Sequence, residues 1–593
     1  MNYKLRNAIQ PRDIETCLED ILTLRGVEDI ESFLNPSSKC ELNPFNLDNI
    51  EEGAEMLLNH LNRKSHICFV VDCDADGYTS SAILWNYIKA IFPDADLSFT
   101  VHDHKQHGLS DKIEWFTDVE QFDLVVCPDS ASYDVEHHLR LKEINTDVLC
   151  LDHHEQMFDE DGNPIVSTAS NTVVINNQLS PRYANKTLCG AGVVYKFCQV
   201  LDTKLGIAQA GNFVDLVSLG LIADVMKRTT SETNYLMMKG LQNIKNGGLV
   251  ALIEAQAFSL KDKASYPYLG LTPIDIAFYI APLINAITRV GTIKEKETMF
   301  YAFIEPNRVV QSTKRGAKEG DTETAAGQTA RVGTNAKNRQ NKIKEKALDL
   351  IDFKIQKDDL LQNNIIVVEI DDEDNIPQEL SGLVAMAVVT KYHKPCLIAR
   401  RNSKDVLQGS MRSDSNFAEL PNFKEFLENS NYFNFVAGHN AAAGYSIDAA
   451  KLNSFLNYSN TTLSEESFKN CYLVDYIFKS SDSDLIPVGL QLAGHPEFFG
   501  NGIDEVKIVI EDISLANIMV MGADKSSIKI SENGIDYVKF KDLDFIDEVQ
   551  NNRQKKLTVY GRLNLNIWAG RKSLQVFIDD YELKDGSSSK YDF

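Results

Sequence analysis

The chain has 593 residues, 43% of them hydrophobic and 24% charged, with a net charge of −25. That length exceeds what one hydrophobic core organises, so two to four domains are expected, and the mixed composition excludes a disordered or fibrous chain. The acidic total argues against indiscriminate adsorption to nucleic acid, whose affinity comes largely from neutralised phosphates.

Residues 1–60 read as a helical lead-in, through GVEDIESFLNP and the amphipathic NLDNIEEGAEMLLNHLNRK. Its first residues, MNYKLRNAIQPRD, lack the apolar core of a signal peptide, and no uncharged apolar run of about 18 residues is apparent downstream. A cytoplasmic protein with no membrane association is expected. Ten cysteines without a CxxC pair argue against a zinc knuckle or a disulfide framework.

Between residues 61 and 300, the apolar strands HICFVVD, DLVVCPD and DVLCLDHH alternate with helical stretches such as SSAILWNYIKAIF and GAGVVYKFCQVLDTKL, before a mainly helical region. This alternation predicts βαβ units around a parallel sheet. Residues 301–352 read as a basic connector: Arg308 to Lys346 holds ten Lys or Arg residues against four acids, Glu319, Asp321, Glu323 and Glu345. It is either a solvated face or a basic wall along a channel. A second α/β segment follows over 353–460, with NNIIVVEID and KPCLIARR as strands. From 461 to 593, period-two runs such as VKIVIEDI and SLQVFIDD predict a small β-barrel.

The chemistry gathers at strand ends. In open parallel sheets, ligands bind outside the carboxyl ends of the strands, so Asp72, Asp74, Asp76, Asp129 and Asp152 to His154 should converge. Three carboxylates crowd the turn DCDADG, where a hard divalent cation would offset their repulsion. An EF-hand loop would need Glu at its twelfth position, and counting from Asp72 that position is Ile83. The triplet Asp152-His153-His154 adds imidazole ligands, and Asp224 in SLGLIADV a further carboxylate. Asp74, Asp76, Asp129, His153 and Asp224 suffice for two ions, Mn²⁺ foremost and Mg²⁺ as a substitute. Such a pair hydrolyses phosphate esters.

Matching motifs run in order along nearly the whole chain: DCDADGYTS, HGLSD, PDSAS, LDHHE, LCGAGVVYK, GLIADV, APLINAITRVG, GSMRS, GHNAAAG, FFGNG and GRLNLNIWAGRKSLQVFIDD. In these the chain resembles the DHH phosphoesterases, and within them the RecJ-type single-strand-specific exonucleases. The resemblance implies a multidomain α/β architecture: a parallel-sheet DHH domain, a connecting helix, a second α/β DHH-associated domain and a C-terminal OB-like barrel. It places the metal ligands on the same five residues, His154 on the scissile phosphate, and Asp152 behind the metal-bound imidazole. Substrate contacts are implied for Asn285, Arg289, Ser410, Arg412, Gly438, His439, Ala443 and Gly444. Trp568 could stack on a base or belong to the barrel core. The chain departs from the family at Leu283 and Thr288, where Arg and Gly are more typical, and in the glycine-free CPDSASYD.

The function implied is 5′→3′ hydrolysis of single-stranded DNA to nucleoside 5′-monophosphates in repair or recombination, with a single-strand-binding protein or a helicase as partner. A phosphodiesterase for short oligonucleotides or cyclic dinucleotides, and a non-catalytic replication scaffold, are the alternatives.

Overall fold

The structure, a computed structural model, describes residues 1–104, 106–159, 162–568 and 570–585, without the side chain of Trp568. It divides into two compact units. One comprises Arg25–Gln340 with Glu497–Asp504, and the other Met1–Leu24, Asn341–Pro496 and Glu505–Phe593. The lead-in expected as one piece is therefore split between them. Its first strand, β1 (Asn2–Leu5), pairs in parallel with β14 (Cys471–Val474), a partner that no local pattern announces.

The first unit is built on β2 (Ile67–Val71), β3 (Leu97–Val101), β4 (Leu124–Pro128), β5 (Asp147–Asp152) and β6 (Thr172–Asn176), all parallel in the order β3-β2-β4-β5-β6. Strands β2 and β4 are buried along their whole length, as a sheet covered on both faces requires. The chain leaves β2 outward to β3 and then returns to β4 on the other side, so the topological switch point lies between β2 and β4. The crevice for a ligand opens there.

Helices Ala75–Ile91, Gly190–Leu205 and Val214–Ala223 bury most of their side chains in one core with the odd-numbered face of β2. Helix Ala281–Val290 continues from a short π-helical turn, Ile276–Ile280. Together they make Pro273–Val290 apolar and long enough to span a bilayer by length and composition, with half of that window buried inside the fold. It packs into the same core through Leu283, Ile284, Ala286 and Ile287. Leu283, one of the departures from the family pattern, is thus a core residue.

The stretch read as a connector has its own structure: a hairpin of β7 (Val309–Gln311) and β8 (Thr322–Thr324), then a helix of 33 residues, Ala325–Lys357. Part of its positive charge is paired, Arg331 with Glu323 at 2.6 Å and Arg339 with Glu295 at 2.7 Å.

In the second unit, β9 (Ile366–Glu369), β10 (Cys396–Arg401), β11 (Val406–Arg412), β12 (Phe433–His439) and β13 (Ala442–Asp448) form a sheet ordered β12-β13-β11-β10-β9. Only β9 and β10 run parallel in it. The C-terminal sheet contains β15 (Tyr476–Lys479), β16 (Lys507–Ser514), β17 (Ile518–Met521), β18 (Ser527–Glu532), β19 (Ile535–Lys539), β20 (Lys556–Trp568) and β21 (Arg571–Lys584). Its order is β15-β16-β20-β21-β19-β18-β17, with the long β20–β21 hairpin at its centre.

Candidate metal centre

Each acidic side chain of the cluster is placed by backbone, and the backbone comes from several segments. Asp74 caps the helix Ala75–Ile91, accepting from the amides of Asp76 at 2.9 Å and Gly77 at 3.1 Å. Gly77 is obligatory, since a Cβ there would stand 2.5 Å from Asp72 Cβ. Asp76 is buried and accepts from Gly190 N at 2.6 Å and Ala191 N at 3.0 Å, the first amides of the helix Gly190–Leu205. A helix N-terminus carries partial positive charge, which suits a buried carboxylate. The turn after β4 passes through left-handed backbone at Asp129 (φ 69°) and Ala131 (φ 70°), and Gly190 leaves room for the Asp129 carboxylate, 2.5 Å from where a Cβ would be.

At the end of β5, Asp152 is the organiser. It accepts from the backbone of His153 at 2.7 Å and of Ser132 at 3.1 Å, and its Oδ1 lies 2.7 Å from His154 Nδ1. This corrects one expectation. The Asp152 carboxylate orients the ring of His154, two residues on, and reaches His153 only through its amide. The carbonyl of His154 is held in turn by Asn176 Nδ2 at 3.0 Å and the Tyr133 hydroxyl at 3.1 Å.

The ring of His153 points into the carboxylates. Its Nε2 lies 3.2 Å from Asp129 Oδ1, 3.5 Å from Asp224 Oδ2 and 3.8 Å from Asp76 Oδ2. Asp224 arrives from a fourth segment, at the C-terminal end of the helix Val214–Ala223. Asp74, Asp76, Asp129, His153 and Asp224 are thus brought to one place by β2, β4, β5 and that helix. Ligand atoms of Asp76, His153 and Asp224 lie within 4.8 Å of one another, and so do those of Asp72, Asp74 and Asp129.

The electrostatics show how unfavourable this crowding is without cations. Burial, then the charges of Asp76, Asp74, Asp72 and Asp224, raise the Asp129 carboxyl far above the carboxylate range. Its buried Oδ1 also lacks a hydrogen-bond donor among the described residues. Burial, then Asp76 and Asp74, push Asp224 up to about 8. Burial holds His153 below the usual imidazole value, which favours the neutral ring that ligates metals. His154 behaves oppositely: its burial lowers it, but Asp152 and Asp72 outweigh that and bring it up to about 9. Asp152, despite its burial, is held well below the carboxylate range by His154 and His153.

A cavity of about 150 Å³ opens on this cluster, lined by Asp74, Asp76 and Asp224 on one side and by Asn285, Thr288 and Arg289 on the other. Asn285 and Arg289 are four residues apart on one helix and share a face. Burial lowers the Arg289 guanidinium, with Asp74 opposing.

In the second unit, adjacent strands juxtapose the other expected contact residues. Ser410 pairs with Gly444, and Ala443 with Gly438; Arg412 and His439 both pair with Ala442. Gly438 sits at φ 135°, and a Cβ there would stand 2.7 Å from Ala443 Cα. The Arg412 guanidinium donates to its neighbour Met411's carbonyl at 2.7 Å and packs over Gly382, whose Cβ would lie 2.3 Å from it. Trp568 ends β20 opposite Arg571; its side chain lies outside the described residues.

Sequence reasoning passed over Gly190, Ala191 and Gly220. A Cβ at Gly220 would stand 2.5 Å from Asp76 Oδ1, so this helix must approach the carboxylate bare. The small residues of LCGAGVV and SLGLIAD were the available signal.

The DHH family N-terminal domain matches residues 66–221, and the RecJ OB domain matches residues 490–580. A Bacillus subtilis (strain 168) protein is 36% identical over 96% of both chains; it carries the provisional name SPbeta prophage-derived single-strand DNA-specific exonuclease YorK. The single-stranded-DNA-specific exonuclease RecJ of the same organism is 22% identical, covering 97% of this chain and 69% of its own. The crystal structure of Thermus thermophilus RecJ in complex with Mn²⁺ shares the fold, with a TM-score of 0.69 and 20% identity over 99% of this chain and 79% of that one. The chain belongs to the DHH family, in its RecJ-type branch of single-strand DNA-specific exonucleases.

Proposed function

We infer that this chain is a single-stranded-DNA-specific exonuclease that hydrolyses phosphodiester bonds with two divalent metal ions. The observation that carries the reading is the buried His153 Nε2 among Asp76, Asp129 and Asp224, with an Asp129 oxygen that no donor among the described residues satisfies. Such an array of acceptors is compensated by hard cations. The donor set of carboxylates with one imidazole fits Mn²⁺, with Mg²⁺ as a substitute, and lacks the thiolates that would favour zinc. Asp74, Asp76, Asp129, His153 and Asp224 would hold the pair. When bound, the ions acidify the attacking water and offset charge on the reacting phosphate. Support also comes from the name of the 36%-identical relative and from the Mn²⁺ and Mg²⁺ complexes of Thermus thermophilus RecJ.

The protein groups supply the rest. With Nδ1 held by Asp152, a protonated His154 donates from Nε2 to a phosphate oxygen and stabilises the charge that grows there. Its side chain is 49% exposed, so substrate can reach it. Asn285 and Arg289 line the cavity and hold the strand. Ser410, Arg412, Gly438, His439, Ala443 and Gly444 bind phosphate, where small residues let backbone amides approach closely. Digestion runs from the 5′ end and releases nucleoside 5′-monophosphates, in the cytoplasm and in DNA repair or recombination. A helicase or single-strand-binding protein is the natural supplier of its substrate.

The test is digestion of 5′- and 3′-end-labelled single strands of increasing length with Mn²⁺, Mg²⁺ or chelator. Metal-dependent release of mononucleotides from long strands is expected, with the 5′ label lost first and Asp76→Ala inactive. Preference for two- or three-residue substrates would replace this reading with a short-oligonucleotide phosphodiesterase. Full activity of Asp76→Ala would refute the metal site.

A further inference from the structure

A second group of donors shares Asp72 with the carboxylate cluster, and its Cys73 and His107 are not used by the reaction described above. Asp72, Cys73 and His107 bring ligand atoms within 4.8 Å of one another. His107 Nδ1 lies 2.6 Å from Asp72 Oδ2, and the two ring nitrogens lie 3.8 and 3.7 Å from Cys73 Sγ. Asp72 and Cys73 are buried, while the His107 side chain is 44% exposed and gives access from solvent.

A second observation concerns the other oxygen of Asp72. His102 is buried, with Nδ1 2.8 Å from Asp111 Oδ1. Its other ring nitrogen, Nε2, faces Asp72. This atom is buried, has no hydrogen-bond partner among the described residues, and stands 3.9 Å from Asp72 Oδ1. A polar atom left without a partner out of water is costly, and a cation shared with Asp72 would supply the missing partner. A carboxylate holding the far nitrogen of an imidazole is also how metal-binding histidines are oriented.

The chemistry of these donors differs from that of the neighbouring cluster. Carboxylates with one imidazole suit Mn²⁺ and Mg²⁺, whereas a thiolate with imidazole selects a softer ion. We propose that Asp72, Cys73 and His107, with His102 facing the second oxygen of Asp72, form a binding site for a zinc-class ion separate from the catalytic pair. Zinc takes cysteine, histidine and aspartate ligands together in four-coordinate sites. The Cys73 thiol loses its proton to solvent as the ion binds, and no redox step is involved. Asp72 and Cys73 immediately precede Asp74, so an ion held here grips the turn that presents the catalytic carboxylates. Zinc therefore inhibits hydrolysis. That consequence rests on the phosphodiesterase reading; the binding does not.

Co²⁺ is the probe, because a thiolate ligand gives it a charge-transfer band in the near ultraviolet. Full-length protein in excess Mn²⁺ is titrated with Co²⁺. The band should saturate at one Co²⁺ per chain, vanish in Cys73→Ser, and persist in Asp224→Asn, where the catalytic set is broken. His107→Asn should weaken the binding by at least about 100-fold, more than loss of an outer partner costs. Circular dichroism establishes that each variant is folded. Absence of the band in the unsubstituted protein, an equal band in Cys73→Ser, or unchanged affinity in His107→Asn overturns the site. If the band behaves as expected but Zn²⁺ at saturating concentration leaves hydrolysis intact, the inhibitory consequence is refuted. Retention of activity by Asp76→Ala would sink the phosphodiesterase reading alone.

Discussion

Asp224 makes the cost of crowding these carboxylates measurable. In the folded chain without metal its carboxyl is pushed up to about 8, first by burial and then by Asp76 and Asp74, whereas in the unfolded chain it titrates near 4. Between those values the folded state keeps a proton that the unfolded state has released, so stability falls as pH rises, and the loss is complete above about pH 8. The slope for one such group is about 1.4 kcal/mol per pH unit, or about 4 kcal/mol between pH 5 and pH 8. A unit of roughly 320 residues unfolds with about 0.7 kcal/mol per degree, so the melting midpoint of chelated protein should fall by about 6 °C across that range. Asp224→Asn removes this component, and scanning calorimetry of both proteins in chelator gives the difference. Mn²⁺ should reverse the trend, because bound carboxylates are charged in the folded state. A chelated protein whose midpoint relative to Asp224→Asn stays constant or rises from pH 5 to pH 8 would refute the reasoning.

Three further outcomes follow from packing and hydrogen bonding. Gly190→Ala places a Cβ 2.5 Å from Asp129 Oδ1, so the carboxylate must move and the initial rate on single-stranded DNA should fall about 100-fold, the scale of a 1 Å misplacement; an unchanged rate would show that Asp129 is not fixed there. His154→Ala should lower kcat by about 10²–10³, the range for a lost charge-stabilising donor, while Mn²⁺ affinity measured by calorimetry stays the same. Arg228 is fully buried, donates to Asn234 Oδ1 at 3.0 Å and to the Glu497 carbonyl at 2.7 Å, and lies over the Phe33 ring. Arg228→Met leaves both acceptors unsatisfied and should cost about 3 kcal/mol, read as a lower thermal midpoint.

The parallel sheet was legible because strands buried on both faces are written as continuous apolar runs, and the convergence of Asp74, Asp76, Asp129, His153 and Asp224 was legible because acids and histidines stood at strand ends. The strand order was not, since it depends on which side of β2 each crossover packs. The pairing of β1 with β14 joins residues about 470 positions apart and leaves no periodic trace. The β7–β8 hairpin hid in a polar stretch whose charge drew the eye instead. In the site itself, Asp152 could be assigned to either following histidine from adjacency alone, and only the turn after β5 gives its Oδ1 to His154. Gly190 and Gly220 matter through what they leave out, a space that exists only once distant helices meet over Asp76 and Asp129. No pattern in the sequence marks His102, whose unpartnered nitrogen faces Asp72 only in the folded chain.

The proposed mechanism needs one pair of ions, which Asp74, Asp76, Asp129, His153 and Asp224 would hold. An anomalous difference map at the manganese edge, from crystals grown with Mn²⁺, would display them directly. Two peaks within that cluster are predicted, both lost in Asp76→Ala; a single peak, or none, among these five side chains would contradict the two-metal mechanism.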